Sequence, residues 1–306
     1  MKAFVLSGGG NYGALQAGAL EVLLDRGIQP DILVGVSAGA LNAAFLAVDP
    51  TITHAQRLED IWRYSAPEFF MPINYWKVAR RLIWNQDGLI SNDCMQRFIR
   101  AWMPASFSTF GDVEKCSLYV IASRLADGAM RVFGEKETDP LFDALMASAA
   151  LSPLFPPWSV EGKAYVDGGV STVLPILTAV QHGADEIYAL HVNTSPPHVY
   201  QMTPHGVVGI GSRVLSTLIN RSAEYEIDIM RQHPRVSFHL IRLFPSNDPG
   251  FWNFTQGAEL IRDGRRQAEE QLASAPVLKP WHYAAYRRVR QIFKAPSTTN
   301  APFASV

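Results

Sequence analysis

The stretch Asp31-Ile32-Leu33-Val34-Gly35-Val36-Ser37-Ala38-Gly39-Ala40-Leu41-Asn42-Ala43-Ala44-Phe45 constrains the fold more than any other part of the chain. Its first half, Ile32 to Val36, is short, apolar and β-branched, the pattern of a strand buried on both faces. From Ala38 onward Ala and Leu run without a break to Asp49-Pro50, which predicts a helix. Ser37 falls on the corner between the two, flanked by Gly35 and Gly39. So sharp a turn brings backbone against backbone, and only glycine leaves room on both sides. The serine hydroxyl then stands at the carboxyl end of a strand, and the helix amides behind it face any negative charge that develops there. A chance Gly-x-Ser-x-Gly in a small-residue crossover is the competing reading, and the strand-turn-helix context weighs against it.

The residues before this corner complete a βαβ unit. Lys2 to Ser7 reads as a strand that runs into Gly8-Gly9-Gly10-Asn11-Tyr12-Gly13, and Ala14 to Arg26 reads as a helix stopped by Gly27. Such a unit implies a parallel sheet with a right-handed crossover. The glycine loop and Ser37 therefore both belong at carboxyl ends of strands, the edge where parallel sheets place ligands. Gly8, Gly10 and Gly13 also fit the dinucleotide pattern Gly-x-Gly-x-x-Gly, but the next strand ends in Gly35-Val36-Ser37 rather than in an acid. A glycine loop at a helix start holds any oxyanion through its free amides, and opposite a serine it makes an oxyanion hole.

Further along, Thr53 with Gln56 resembles a capping box for a helix to about Tyr64. Pro67 to Trp84 is crowded with aromatics and predicts an excursion from the sheet. Helices are expected at Ser91–Trp102, Pro140–Ala150 and Pro175–His182, and strands at Ser117–Ser123, Met130–Phe133, Lys163–Val166 and Glu186–Val192. Ser152 to Pro157 reads as a rigid extended loop and Asn193 to Gly206 as a long one. Helices at about Val207–Arg231, Thr255–Leu272 and Pro280–Phe293, with a strand at Val236–Phe244, close the chain. No internal repeat or linker stands out. The organisation expected is a core over residues 1–195 and, over 196–306, a helix-rich continuation of the same domain.

Hydrophobic residues make up 48% of the 306 and charged residues 18%, which suits a large core. A net charge of −1 gives no electrostatic case for nucleic acid. Cys94 and Cys116 are too few for a disulfide framework and lack metal-ligand spacing, so they read as thiols in a reducing compartment. The apolar run after Lys2 is too short for a signal peptide, and no stretch reaches membrane-spanning length. A cytoplasmic protein is expected, with transient peripheral contact to a membrane through segments that mix aromatics and cations. These are Phe69–Trp84, with Trp76, Lys77, Arg80 and Arg81, and Lys279–Lys294. Ordinary packing over the core is the alternative for both.

A serine nucleophile needs a base. The histidines that follow lack a glycine-marked, strand-end setting, whereas Asp167 has one, with Tyr165-Val166 before it and Gly168-Gly169 behind. Together these pieces resemble the patatin-like phospholipase family. Gly8-Gly9-Gly10-Asn11-Tyr12-Gly13 is similar to its oxyanion motif, Gly35-Val36-Ser37-Ala38-Gly39 to its nucleophile elbow, and Asp167-Gly168-Gly169 to its aspartate motif. Ala147-Ser148-Ala149-Ala150 through Pro153, Phe155 and Pro156 resembles the segment that precedes the aspartate. Order and spacing agree from residue 3 to about 192. The chain departs from the family pattern at Tyr12, where Arg or Lys is common, and at Val173, where Asn is common.

The resemblance implies a three-layer α/β/α fold with a mainly parallel sheet, plus a helical C-terminal section. It implies a Ser37–Asp167 dyad that hydrolyses fatty-acyl esters of phospholipids or related lipids through an acyl-enzyme, with Gly8, Gly9, Gly10 and Gly13 at the oxyanion. Neither metal nor cofactor is required. Acyl transfer by the same dyad and an idle lipid-binding module are the alternatives.

Overall fold

The computed structural model describes residues 1–70, 75–84, 86–193, 206–231, 236–247 and 253–274. Met1–Ser274 forms one compact unit. Residues 275–306 lie outside the described residues, and with them the helix expected at Pro280–Phe293 and the segment Lys279–Lys294.

The chain begins with β1 (Lys2–Leu6), a short 3₁₀ turn at Gly10–Tyr12, α1 (Gly13–Asp25), β2 (Ile32–Val36) and α2 (Ala38–Val48). An excursion follows: α3 (Ile52–Asp60), a π-helical turn at Ile61–Ser65, α4 (Ala66–Phe70), α5 (Tyr75–Ile83) and α6 (Asp93–Trp102). The chain returns through β3 (Ser117–Arg124), β4 (Met130–Phe133), α7 (Leu141–Ser148), β5 (Trp158–Val160) and β6 (Lys163–Asp167). It ends with α8 (Ile176–Gln181), β7 (Glu186–Val192), α9 (Gly206–Arg231), β8 (Ser237–Leu243) and α10 (Gly257–Ser274).

All eight strands form one sheet, in the order β5-β6-β3-β2-β1-β7-β8, with β4 paired to β3. The stretch from β3 to β8 is parallel, while β4, β5 and β6 pair antiparallel. Alternate residues face opposite layers, as the two-residue strand period requires. Phe4, Leu6, Leu33, Tyr188 and Leu190 join the core built with α1, α2 and α10. Ala3, Val5, Ile32, Val34, Ile187 and Ala189 pack with α8 and α9. The result is the three-layer α/β/α architecture. The sheet does not stop at residue 195, since β8 pairs with β7 along its whole length.

Local departures from the sequence reading have physical reasons. The helix after Asp49-Pro50 is capped by Thr51, whose hydroxyl accepts from the His54 amide (3.3 Å), and not by Thr53. Thr51 precedes the first turn, where an extended backbone can aim its side chain back at the free amides. The expected loop over Ser152–Pro157 is followed by β5, a three-residue strand that pairs with β6 and was too short to show a period. Cys94 and Cys116 are free thiols; burial pushes the Cys116 thiol up to about 12. The long loop expected from Asn193 lies outside the described residues except at its ends. Among the described residues no helix is long and apolar enough to cross a membrane.

Candidate active site

Two strands meet end to end at the site. β3 pairs with β2 up to Val36↔Ile121 and then with β6 from Ala122↔Asp167. Because β4 pairs with the same β3 residues, Val120 to Ser123, it holds the opposite edge. β2 and β6 therefore share one edge of β3 and run toward each other. One ends in Ser37 and the other in Asp167, and the register of β3 brings these two residues tip to tip.

Each tip is held by main-chain contacts. Ser37 has φ 55° and ψ −126°, a region that favours glycine and costs other residues roughly 1–3 kcal/mol. The strain is maintained by close approach on both flanks. A methyl group on Gly39 would press into the carbonyl oxygens of Leu6 and Ser7, and one on Gly35 would come within 2.7 Å of the Ala40 Cα. A bracket at the end of α7 grips both tips. The buried Ser148 Oγ accepts the Ser37 amide (2.9 Å), and the Ala150 carbonyl accepts the Asp167 amide (2.9 Å).

The Asp167 side chain is 3% exposed. Its Oδ1 accepts from the Gly169 amide (2.8 Å), and its Oδ2 is buried without a hydrogen-bond partner. Burial raises the carboxyl to about 6, while the nearby Ser37 hydroxyl and the Gly169 amide pull it down. The hydroxyl lies near enough to favour the carboxylate but short of a formed bond, as is common before a substrate tightens a site.

The glycine loop faces the same place, and its amides divide. The Gly8 amide donates to the Val173 carbonyl (3.0 Å), and the Gly13 amide turns back onto Gly10 and Asn11. Gly9 and Gly10, both partly exposed, donate to no backbone acceptor among the described residues. Gly10 has φ 56° and lines the pocket beside Ser37 and Ala38. The sequence-level set of four glycines thus narrows to two amides that can meet an anion, joined by the Ala38 and Gly39 amides at the start of α2, since those of Ala40 and Leu41 donate to the Ser37 carbonyl. Gly8 contributes by closeness: a methyl group there would come within 3.3 Å of the Val36 side chain and 3.4 Å of the Ser37 Cβ.

Buried polar groups that the sequence reading passed over hold this loop. Gln16 Nε2 donates to the carbonyls of Ser7 (2.8 Å) and Leu190 (3.3 Å). Asn42 Nδ2 donates to the Gly13 carbonyl (3.0 Å) and to Gln16 Oε1 (2.9 Å), and the Trp62 indole donates to Asn42 Oδ1 (2.7 Å). The segment after Asp167 is strapped as well. Buried Glu226 of α9 accepts from the Thr172 hydroxyl and from the Leu177 amide (3.0 Å). Between those two, Val173 carries the carbonyl that holds Gly8, so a main-chain carbonyl, and not a side-chain amide, braces the loops here. For Gln16 and Asn42 the signal is a single amide side chain inside an otherwise apolar stretch of α1 and α2; Glu226, among the other charged residues of α9, carries none.

A narrow apolar pocket opens at Ser37, with about 40 Å³ of free space. Leu41, Trp62, Phe70, Phe98, Phe155 and Phe254 form most of its wall. Among the described residues none of its lining groups is a histidine. His54 bonds the Phe45 carbonyl, His182 the Thr178 carbonyl, and His239 the Ser237 hydroxyl. His191 is buried beside the Arg242–Glu224 pair, both ring nitrogens without partners, and burial lowers it to about 4. His198, His205, His233 and His282 lie outside the described residues.

The chain matches the family model described as Patatin-like phospholipase over residues 4–180. It is 29% identical over 259 residues to the uncharacterized protein YjjU of Escherichia coli (strain K12), covering 81% of this chain and 65% of that one. It is 32% identical over 200 residues to the uncharacterized protein YqhO of Bacillus subtilis (strain 168), covering 56% and 64%. The chain thus spans slightly under two thirds of the length of either relative. Among solved structures it is similar to VipD from Legionella pneumophila, with a TM-score of 0.50 at 15% identity over 89% of this chain and 67% of that one, a likeness of fold.

Proposed function

The chain belongs to the patatin-like phospholipase family, and from that premise we propose that it is a serine acyl hydrolase of lipid esters working through a Ser37–Asp167 dyad. One observation carries the reading: β2 and β6 meet tip to tip, setting a strained serine beside a buried carboxylate with one unpartnered oxygen at the mouth of an apolar pocket.

Asp167 as carboxylate takes the Ser37 proton while Oγ attacks the acyl carbonyl. The oxyanion of the tetrahedral intermediate is met by the amides of Gly9 and Gly10. Collapse passes the proton from Asp167 to the departing alcohol oxygen and leaves the acyl group on Ser37. Water then attacks with Asp167 again as base, releasing the fatty acid. The acyl chain lies in the apolar pocket. The ester is reached at a lipid surface, onto which α5 docks transiently.

A fluorophosphonate probe tests the nucleophile. It should label Ser37 and no other serine, and Ser37→Ala should lose both label and ester hydrolysis while keeping the wild-type melting temperature. Hydrolysis surviving in Ser37→Ala would overturn the assignment.

A further inference from the structure

The pocket beside Ser37 has a neighbour. Next to it is a second, mainly apolar cavity with about 10 Å³ of free space, lined by Asn42, Phe45, Leu58, Ile61 and Trp102 besides the residues the two share. Leu41, Trp62 and Phe98 line both cavities. These three side chains are therefore the partition between them, with the nucleophile on one side and unfilled apolar space on the other.

The partition is built to stay in place. Leu41 is one helical turn beyond the nucleophile, its amide bonded to the Ser37 carbonyl (3.2 Å), so it shares Ser37's face of α2. The helical rise puts its Cα about 6 Å along the axis from that of Ser37. Trp62 projects from the π-helical turn, pinned by its bond to Asn42 Oδ1 (2.7 Å) and stacked nearly parallel on Phe254 (4°). Phe98 packs at an angle against Phe70 (ring centroids 5.2 Å apart) and edge-on to Phe69 (5.8 Å). Rings locked in this way do not swing aside without breaking a buried hydrogen bond or the aromatic contacts.

We propose that Leu41, Trp62 and Phe98 act as a ruler for the acyl group, selecting acyl esters up to the length that reaches the partition. The inference rests on the acyl hydrolase reading and deepens it. While the chain is shorter than the pocket, each methylene leaves water for an apolar wall and raises the specificity constant about fourfold. Once the terminal methyl meets the partition, a further methylene has to displace a packed side chain, and the trend reverses. An apolar pocket separates neighbouring chain lengths by about 10–200-fold at most, so the ruler shows as a break in slope and not as an absolute cut-off.

The test is the profile of kcat/KM against chain length, measured with p-nitrophenyl esters from acetate to palmitate in mixed micelles. The wild-type protein should show a break before palmitate. Leu41→Ala removes three carbons from the partition and should move the break by about three methylenes. Leu41→Val, milder for the fold, should move it by about one. Leu58→Ala enlarges only the inner cavity, so alone it should leave the break where it is, and with Leu41→Ala it should move it further. A break unmoved by both Leu41 variants, or moved equally by Leu58→Ala alone, would overturn the ruler while leaving the hydrolase intact. Hydrolysis of no ester at any length would instead overturn the hydrolase reading, and the ruler with it.

Discussion

The strand-end edge that carries Ser37 and Asp167 and the aromatic wall supplied by the excursion from α3 to α6 border the same pocket, yet they are held by different physics. At the edge, position is set by main chain against main chain: the Leu6 and Ser7 carbonyls against Gly39, Ile121 against Gly168, and the Gly8 amide on Val173. At the wall it is set by side chains against side chains, as in the Phe70–Phe98 and Phe70–Phe254 pairs. A main-chain contact tolerates no added atom, whereas an apolar contact accepts another residue of similar volume at modest cost. The chemistry is therefore fixed where substitution is least forgiving, and the choice of substrate where it is most forgiving.

The sharpest way to break this comparison is at its one titratable group. Asp167→Asn should lower kcat/KM by at least about a thousandfold, as losing one member of a catalytic unit does. His191→Ala should come nowhere near that loss. The wild-type kcat/KM should fall tenfold per pH unit below about 6, the value to which burial lifts Asp167, and level off above it. Stability runs the other way. The folded carboxyl titrates higher than the ordinary 3.8, so its contribution is present in full below 3.8 and is lost as the pH rises through about 6. At neutral pH the loss is about 3 kcal/mol. Asp167→Asn should hence melt no lower than wild type at pH 7.5. Retained activity, or a melting temperature several degrees lower, would mean the carboxylate is structural.

Next in size is the edge itself. Gly39→Ala adds one methyl against the Leu6 and Ser7 carbonyls. β1 has to move to admit it, and Ser7 leads straight into the amides of Gly9 and Gly10. A destabilisation of about 1–3 kcal/mol is expected from overpacking. A rate loss of about a hundredfold should accompany it, the scale of a displaced oxyanion donor. Thermal melts and ester kinetics on the same preparation check both. A Leu151→Val change in the pocket wall should cost less than tenfold, and an equal loss at the two positions would erase the distinction.

The same contrast explains what was readable in the sequence. Ser37, Asp167 and their glycines stood out because a main-chain approach admits few residue types and leaves a spelled motif. The central strands were readable because β1, β2 and β7 are buried on both faces and so read as unbroken apolar runs. Trp62, Phe98 and Phe254 were not readable as one wall, since a π-helical turn, α6 and the 3₁₀ turn just before α10 meet only in space. Nor was Ser148, which looks like a helix-end serine until the register of β3 brings Ser37 beneath it. Glu226 was hidden for the same reason, lying in α9, outside the stretch that matches the family model.

The smallest effect belongs to α5, the part of the excursion furthest from the main-chain regime. Its Trp76 is 87% exposed, and Leu82, Ile83 and Trp84 are exposed as well, with the Arg80 guanidinium 5.7 Å from the Trp84 ring centre. The segments on both sides of α5 reach the pocket rim. Phe70, in α4 just before it, lines the pocket, and after it Leu89 and Ile90 donate to Pro153 (3.0 Å) and Leu154 (2.8 Å), between the pocket residues Leu151 and Phe155. A helix of aromatics and cations at the rim fits an anionic lipid surface, where each basic residue adds about 1 kcal/mol and salt weakens the contact. Arg81 is better left in place, because its Nε holds the Gly88 carbonyl (2.5 Å) and anchors the helix. Trp76→Ala/Arg80→Ala should therefore cut flotation with phosphatidylserine vesicles by about tenfold at low salt. The difference should shrink as salt removes the charge term and leaves the indole's share. Equal flotation of variant and wild type would show that α5 is not the docking surface.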